Sequence, residues 1–175
     1  MSKFQGKLLK FMKGGAERYM TTPSSEITDL FLSRIRDYRL DTLFSVSGST
    51  TLVIHTEPWL LNSISDFEDV ADQSLAYTVS DGTSEGYFTE TLSMKNKLML
   101  AKIMTKHWMA KNVQDVIQFN NVISDRDYKT FSAAQNLKAK QDYYNNLQEE
   151  ISQDLVNYAY KRASWDSWYN QIFSA

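Results

Sequence analysis

Leu137-Lys138-Ala139-Lys140-Gln141-Asp142-Tyr143-Tyr144-Asn145-Asn146-Leu147-Gln148-Glu149-Glu150-Ile151-Ser152-Gln153-Asp154-Leu155-Val156-Asn157-Tyr158-Ala159 decides the fold class. Leu137, Lys140/Gln141, Tyr144, Leu147, Ile151, Leu155, Tyr158 and Ala159 recur every three to four residues, the period of an amphipathic helix. No glycine or proline interrupts the chain between Asp125-Arg126-Asp127, read as a turn and cap, and Arg162. A helix of roughly 30 residues reaches about 45 Å at 1.5 Å per residue. That exceeds the diameter of a domain of this size, so one end projects or the helix breaks near Ser132.

Working outward, Ser93 reads as the cap of a second helix running to about Lys111, with Leu98, Leu100, Ala101, Met104 and Trp108 on a broad apolar face. Asn112 to Ile123 reads as a further short helix. Nearer the start, Thr22 suits a helix cap and Pro23 the first helical position. Ile27, Leu30, Phe31, Ile35 and Tyr38 then form one stripe of a helix that ends near Leu43-Phe44. Ser45 to Ser49 is a turn around Gly48. Thr50 to Asp66 is ambiguous. Its first residues are β-branched, but Leu52, Thr56, Trp59, Leu60, Ile64 and Phe67 keep helical spacing. The reading is a helix that kinks or starts near Pro58. Glu68 to Glu90 holds the turn signals Asp81-Gly82 and Glu85-Gly86, so Ala76–Val79 and Gly86–Thr89 are expected to pair as short strands. The expected fold is mainly α: a helical bundle with one long C-terminal helix and a small β-hairpin or loop.

Two arms flank this domain, giving an organisation of 1–21, 22–162 and 163–175. In the first, Phe4, Leu8 and Phe11 fall at helical intervals, with Lys3, Lys7 and Lys10 on another stripe and Lys13 before Gly14-Gly15. Lys3, Phe4, Lys7, Lys10, Phe11 and Lys13 are the candidate arm contacts. They could meet a neighbouring subunit, DNA or a membrane surface, or fold back on their own domain. In the second arm, Trp165, Trp168, Tyr169 and Phe173 lie three and four apart. They read as an anchor in another chain, since Trp and Tyr dominate interface hot spots, or as a terminal helix docked on its own core. In the hairpin region, Tyr77, Asp81 and Tyr87 are the candidate contacts.

Composition narrows the function. The chain has 175 residues, a formal net charge of −2, no cysteine and two histidines. Absent cysteine excludes a disulfide framework, a thiolate nucleophile and a Cys-bearing zinc site. Near-zero net charge speaks against a general nucleic-acid binder. Aromatics reach 13% in a chain whose mean hydropathy is −0.44, which places some rings at interfaces. No run approaches 18 apolar residues, so no membrane span is expected. Met1 to Met20 lacks the apolar core of a signal peptide, so the chain reads as made in the cytoplasm. No Gly-rich phosphate loop, HExxH or GxSxG occurs. Asp125/Asp127 reads as capping, Glu149/Glu150 as a solvated face, and His107 as a packed or solvated side chain. No catalytic, cofactor-binding or metal-ligating residue is nominated, and the chain is read as a non-enzyme.

Three segments together resemble a known family. They are Thr22-Pro23 with Glu26-Ile27-Thr28-Asp29-Leu30-Phe31-Leu32-Ser33-Arg34-Ile35-Arg36-Asp37-Tyr38; Phe88-Thr89-Glu90-Thr91-Leu92-Ser93 leading into Leu98-Met99-Leu100-Ala101-Lys102-Ile103-Met104 and Trp108; and Ser124-Asp125-Arg126-Asp127-Tyr128-Lys129-Thr130-Phe131-Ser132 followed by Ala134-Gln135-Asn136-Leu137-Lys138. Their order is similar to the head–tail adaptor (connector) proteins of tailed bacteriophages, over most of Pro23 to Arg162. The resemblance implies a virion protein of the neck: a ring, usually of twelve copies, beneath the portal, through which double-stranded DNA passes during packaging and ejection. It implies that Trp165, Trp168, Tyr169 and Phe173 anchor on the portal. It also implies that the loop from Asp72 to Tyr87 faces the lumen or the tail, stopper or other next neck protein. The alternative is a DNA-binding helical module that uses the basic N-terminal arm.

Overall fold

The computed structural model describes residues 21–123 and 131–162. In chain order these form β1 (Thr22–Pro23), α1 (Ser24–Leu32), α2 (Tyr38–Phe67), β2 (Tyr77–Thr78), β3 (Tyr87–Phe88), α3 (Met94–Ile123) and α4 (Phe131–Arg162). The protein is mainly α with a small antiparallel sheet, as its periodicities predict. Residues 1–20 of the first arm, the whole of the second and the Asp125-Arg126-Asp127 turn lie outside the described residues.

α3 is the helix on which the others assemble: α1, α2 and α4 each pack against it. Ser93 caps it as expected, its Oγ accepting the Asn96 N–H at 3.3 Å. Leu100, Ala101, Ile103 and Met104 are all fully buried. Such burial around several sides of one helix needs partners on more than one face. The expected break between Lys111 and Asn112 does not occur, because neither residue is a helix breaker and the backbone ladder runs on to Ile123. α4 is continuous from Phe131 over 32 residues, about 48 Å, and the residues leading up to it, 124–130, lie outside the described ones. Its stripe is buried at Leu147, Ile151 and Tyr158 and only half-buried at Leu137 and Tyr144, nearer its start.

The N-terminal elements differ from expectation. Thr22 does not cap a helix. It pairs with Phe88 as the outer strand of a sheet ordered β1-β3-β2, while Tyr77 faces Phe88 from the other side. The buried Thr22 hydroxyl donates to the Glu90 carbonyl at 3.2 Å and accepts the Leu92 N–H at 2.8 Å. The cap of α1 comes from the hairpin: Glu85 Oε2 accepts the Ser25 N–H at 2.8 Å. A carboxylate there suits the positive end of a helix. α1 also stops at Leu32 rather than Phe44. Asp37 then starts α2, its Oδ1 accepting the Arg39 N–H at 2.9 Å and its Oδ2 the Trp108 indole N–H at 3.0 Å. Tyr38 therefore leaves the expected stripe and stands 85% exposed.

α2 contains a genuine interruption, at Gly48, where φ is 82° and ψ is 177°. The expected turn is there, and only glycine adopts that conformation readily. Beyond it the helix runs through Pro58 without restarting. Pro58 removes one backbone donor, which alone costs about 3 kcal/mol in a helix interior. Leu52, Thr56, Leu60, Ile64 and Phe67 bury on the core along this segment and outweigh that loss. The β-branching of its first residues is overridden in the same way.

Candidate functional site

The hairpin places its three candidate contacts differently. Tyr77 turns inward: its ring packs on Phe88, centroids 4.9 Å apart, and its hydroxyl donates to Glu57 Oε1 at 2.8 Å. Glu57, buried on α2, also accepts the Ser80 N–H at 2.8 Å and the Ser80 hydroxyl at 2.5 Å. Burial, reinforced by the Glu57 charge and against a bond from Ser24, pushes the Tyr77 phenol well above its usual range, so it stays a donor. Asp81 shapes the loop tip, its Oδ1 accepting the Thr83 N–H at 2.9 Å, the Thr83 hydroxyl at 2.8 Å and the Ser84 N–H at 2.7 Å. Those donors hold its carboxyl below the usual range. Of the two rings, Tyr87 is the exposed one.

The polar clusters join elements. Tyr158 donates to Asp72 Oδ1 at 2.5 Å and also bonds Asn96 Oδ1, whose own amide donates to Asp72 at 3.0 Å and to Gln73 at 2.8 Å. Tyr158 stacks edge-on against Phe67, and Lys95 Nζ sits 3.2 Å above the Tyr158 ring. Lys102 of α3 pairs with Glu150, at 2.6 Å, and with Asp154 of α4, so Glu150 is an ion-pair partner at the rim rather than merely solvated. Lys106 and His107 share Asp66 Oδ2. His107 is thus packed against a carboxylate on α2. Among the described residues no group of three or more His, Asp and Glu side chains is placed to hold a metal ion. Asn96, Glu57 and Glu85 are not legible as key residues in sequence, because their partners lie 20 to 62 residues away.

What the fold offers outward is surface. Residues 41–51 around Gly48 are exposed throughout except at Leu43, which is half-buried. This finger carries Tyr38 at its root, then Phe44 and the 79% exposed Val46. Gly48 beside two apolar residues in a polar stretch was the available signal for it. Beneath the finger lies a cavity of about 540 Å³ between α1 and α2. Its lining includes Leu32, Ile35, Leu40, Phe44, Leu52 and Val53. The charged residues in that lining are Asp29, Asp37, Asp41 and Glu85. A larger groove of about 860 Å³ runs between α3 and α4 and is lined by Arg34, Lys95, Lys102 and Lys161 with Glu150 and Asp154. On α4, Val156 and the 74% exposed Tyr160 lie four residues apart and form a further apolar surface, and Tyr143 is exposed nearer the start of the helix.

The arm contacts Lys3, Phe4, Lys7, Lys10, Phe11 and Lys13, and the anchors Trp165, Trp168, Tyr169 and Phe173, lie outside the described residues. No family model matches the chain, and neither a curated protein nor a solved structure matches it. Among the described residues no helix is long and apolar enough to cross a membrane.

Proposed function

We propose that this chain is a structural ring subunit of the head–tail adaptor type, joining a phage portal to the tail or next neck component. The observation that carries the reading is the pair of unlike apolar surfaces: the finger with Tyr38 and Val46, and the outer side of α4 with Val156 and Tyr160. Both helices close their cores on α3, and these exposed side chains are not among the buried core that the described residues form. A ring closes through a heterologous contact, which requires two different patches on each copy. In this reading the aromatic C-terminal arm anchors on the portal and Tyr87 on the hairpin faces the next component. A net charge of −2 suits a conduit, because each phosphate neutralised would add affinity and slow the passage of DNA.

Negative-stain imaging and light scattering, with and without portal rings, test this. Rings are expected alone or on the portal, and Tyr38→Ser with Val46→Ser should abolish them while leaving the helical content unchanged. A chain that stays monomeric at every concentration and never decorates a portal would remove the reading. Steeply salt-dependent DNA binding lost on deleting Met1 to Lys13 would replace it with the DNA-binding alternative.

A further inference from the structure

The cavity beneath the finger is asymmetric in chemistry. Its floor is apolar, through Leu32, Ile35, Leu40 and Phe44, and its charged lining is entirely acidic: Asp29, Asp37, Asp41 and Glu85. Asp37 and Glu85 are engaged by backbone N–H groups, while no cation among the described residues pairs with Asp29 or Asp41. Four carboxylates around one apolar hollow make it a favourable place for a group that is apolar on one side and cationic on the other.

The chain itself has a segment of the complementary kind. Phe4, Leu8 and Phe11 fall at helical intervals, with Lys3, Lys7 and Lys10 on another stripe and Lys13 following. We propose that Met1 to Lys13 docks in the cavity between α1 and α2 of its own chain, apolar residues inward and lysines against the acidic rim. The tether allows it. Ser25, four residues beyond Thr21, already lines the cavity. The seven residues from Gly14 to Met20 span up to about 25 Å when extended, and Gly14-Gly15 supplies a flexible joint. A short tether gives an effective concentration on the order of millimolar, so weak contacts suffice. Charge also decides between the two grooves, because the one between α3 and α4 is lined by four cations, Arg34, Lys95, Lys102 and Lys161, against two acids, Glu150 and Asp154, both already paired with Lys102, and so disfavours a lysine-rich segment. The proposal goes beyond the ring reading and holds whether or not rings form.

The chain contains no cysteine, so a pair introduced in the full-length protein reports without background. Gln5→Cys with Ser49→Cys places one thiol on the segment and one on the cavity lining. Oxidation at low micromolar concentration should give an intramolecular disulfide. The control pair Gln5→Cys with Gln148→Cys, the latter exposed on α4, should give little. Raising the salt, or adding Asp29→Lys with Asp41→Lys, should slow crosslinking roughly tenfold. Further addition of Lys7→Glu with Lys10→Glu should restore it. Crosslinked dimers in place of the internal disulfide, a yield no higher than the control, or a rate indifferent to salt would each overturn the proposal. The salt series needs no charge variant and decides the matter even if those variants fold poorly.

Discussion

Tyr77 and Glu57 are joined by a 2.8 Å hydrogen bond that ties the hairpin to α2, and Ser80 completes the same carboxylate's shell. Removing one member has unequal effects. Tyr77→Phe deletes one donor but leaves the ring on Phe88 and the Ser80 bonds, so a loss of about 1 kcal/mol is expected. Glu57→Ala strands the Ser80 N–H and the half-buried phenol together and should cost about 2–3 kcal/mol. Urea unfolding of both variants measures the difference. Equal losses would show that the carboxylate is not the organising group.

Gly86 lets that same clasp close. A Cβ there would lie 2.6 Å from the Thr78 carbonyl oxygen and closer still to the Tyr77 hydroxyl. The carbonyl is ladder backbone and cannot swing away, so Gly86→Ala should destabilise by roughly 1–3 kcal/mol. Amide exchange should rise at Thr89, whose N–H bonds the Ala76 carbonyl at 3.0 Å. Unchanged stability and exchange would mean that the strands can separate without harm.

His107 and Asp66 predict an acid sensitivity. Burial and then the Lys106 charge hold the imidazole below its ordinary range, outweighing the carboxylate 3.0 Å away. For Asp66, burial raises its pKa, but the Lys106 bond and charge, with those of His107, bring it below the carboxylate range. Both folded values lie below the unfolded ones, so the unfolded chain takes up protons first as pH falls. The stabilisation is complete above about pH 6.5 for His107 and about pH 4 for Asp66, and each part is lost as pH falls through the folded value. The urea midpoint should drop between pH 7.5 and 5.5, and His107→Gln should flatten that limb while weakening the one below pH 4 only in part, because Lys106 still holds Asp66 down. A midpoint that rises on acidification would show that the folded ring prefers to be charged.

Gly48 sets the direction of the finger. Nothing lies within 4 Å of a Cβ built there, so the obstacle to a side chain is torsional rather than steric crowding. Gly48→Ala at the native angles costs about 1–3 kcal/mol. The residue escapes by turning helical, which joins Tyr38–Ser47 to the segment beyond it. Spin labels at Val46→Cys and Gln148→Cys should then report a separation altered by about 5 Å or more, close to one helical pitch. The same distance at the same stability would deny Gly48 its role.

The long helices were legible because their signals are local and dense. Ser93 caps α3, and Leu100, Ala101, Met104, Leu147, Ile151 and Tyr158 bury where their period places them. The hairpin followed from Asp81-Gly82 and Glu85-Gly86. Thr22 misled because its cap chemistry is local, whereas its actual partners, Glu90 and Leu92, lie 68 and 70 residues away. Pro58 lies within the helix expected around it but does not start it, because packing overrides a single backbone donor. The finger depended on one positive φ at Gly48, and the cavity beneath it on how α1 turns at Ser33–Asp37 into α2. Neither angle has a periodic signature. The acidic lining was equally hidden, since Asp29, Asp41 and Glu85 come together only in three dimensions.

α3 has a consequence for how the protein comes apart. Among the described residues the three other helices each pack on this single rod, with ion pairs from Lys97 to Glu26 of α1, Lys106 to Asp66 of α2 and Lys102 to Glu150 of α4 at the seams. It is a keystone rather than one member of a symmetric stack. Melting should therefore be all-or-none, and a protease nick within it should leave no fragment with a transition of its own.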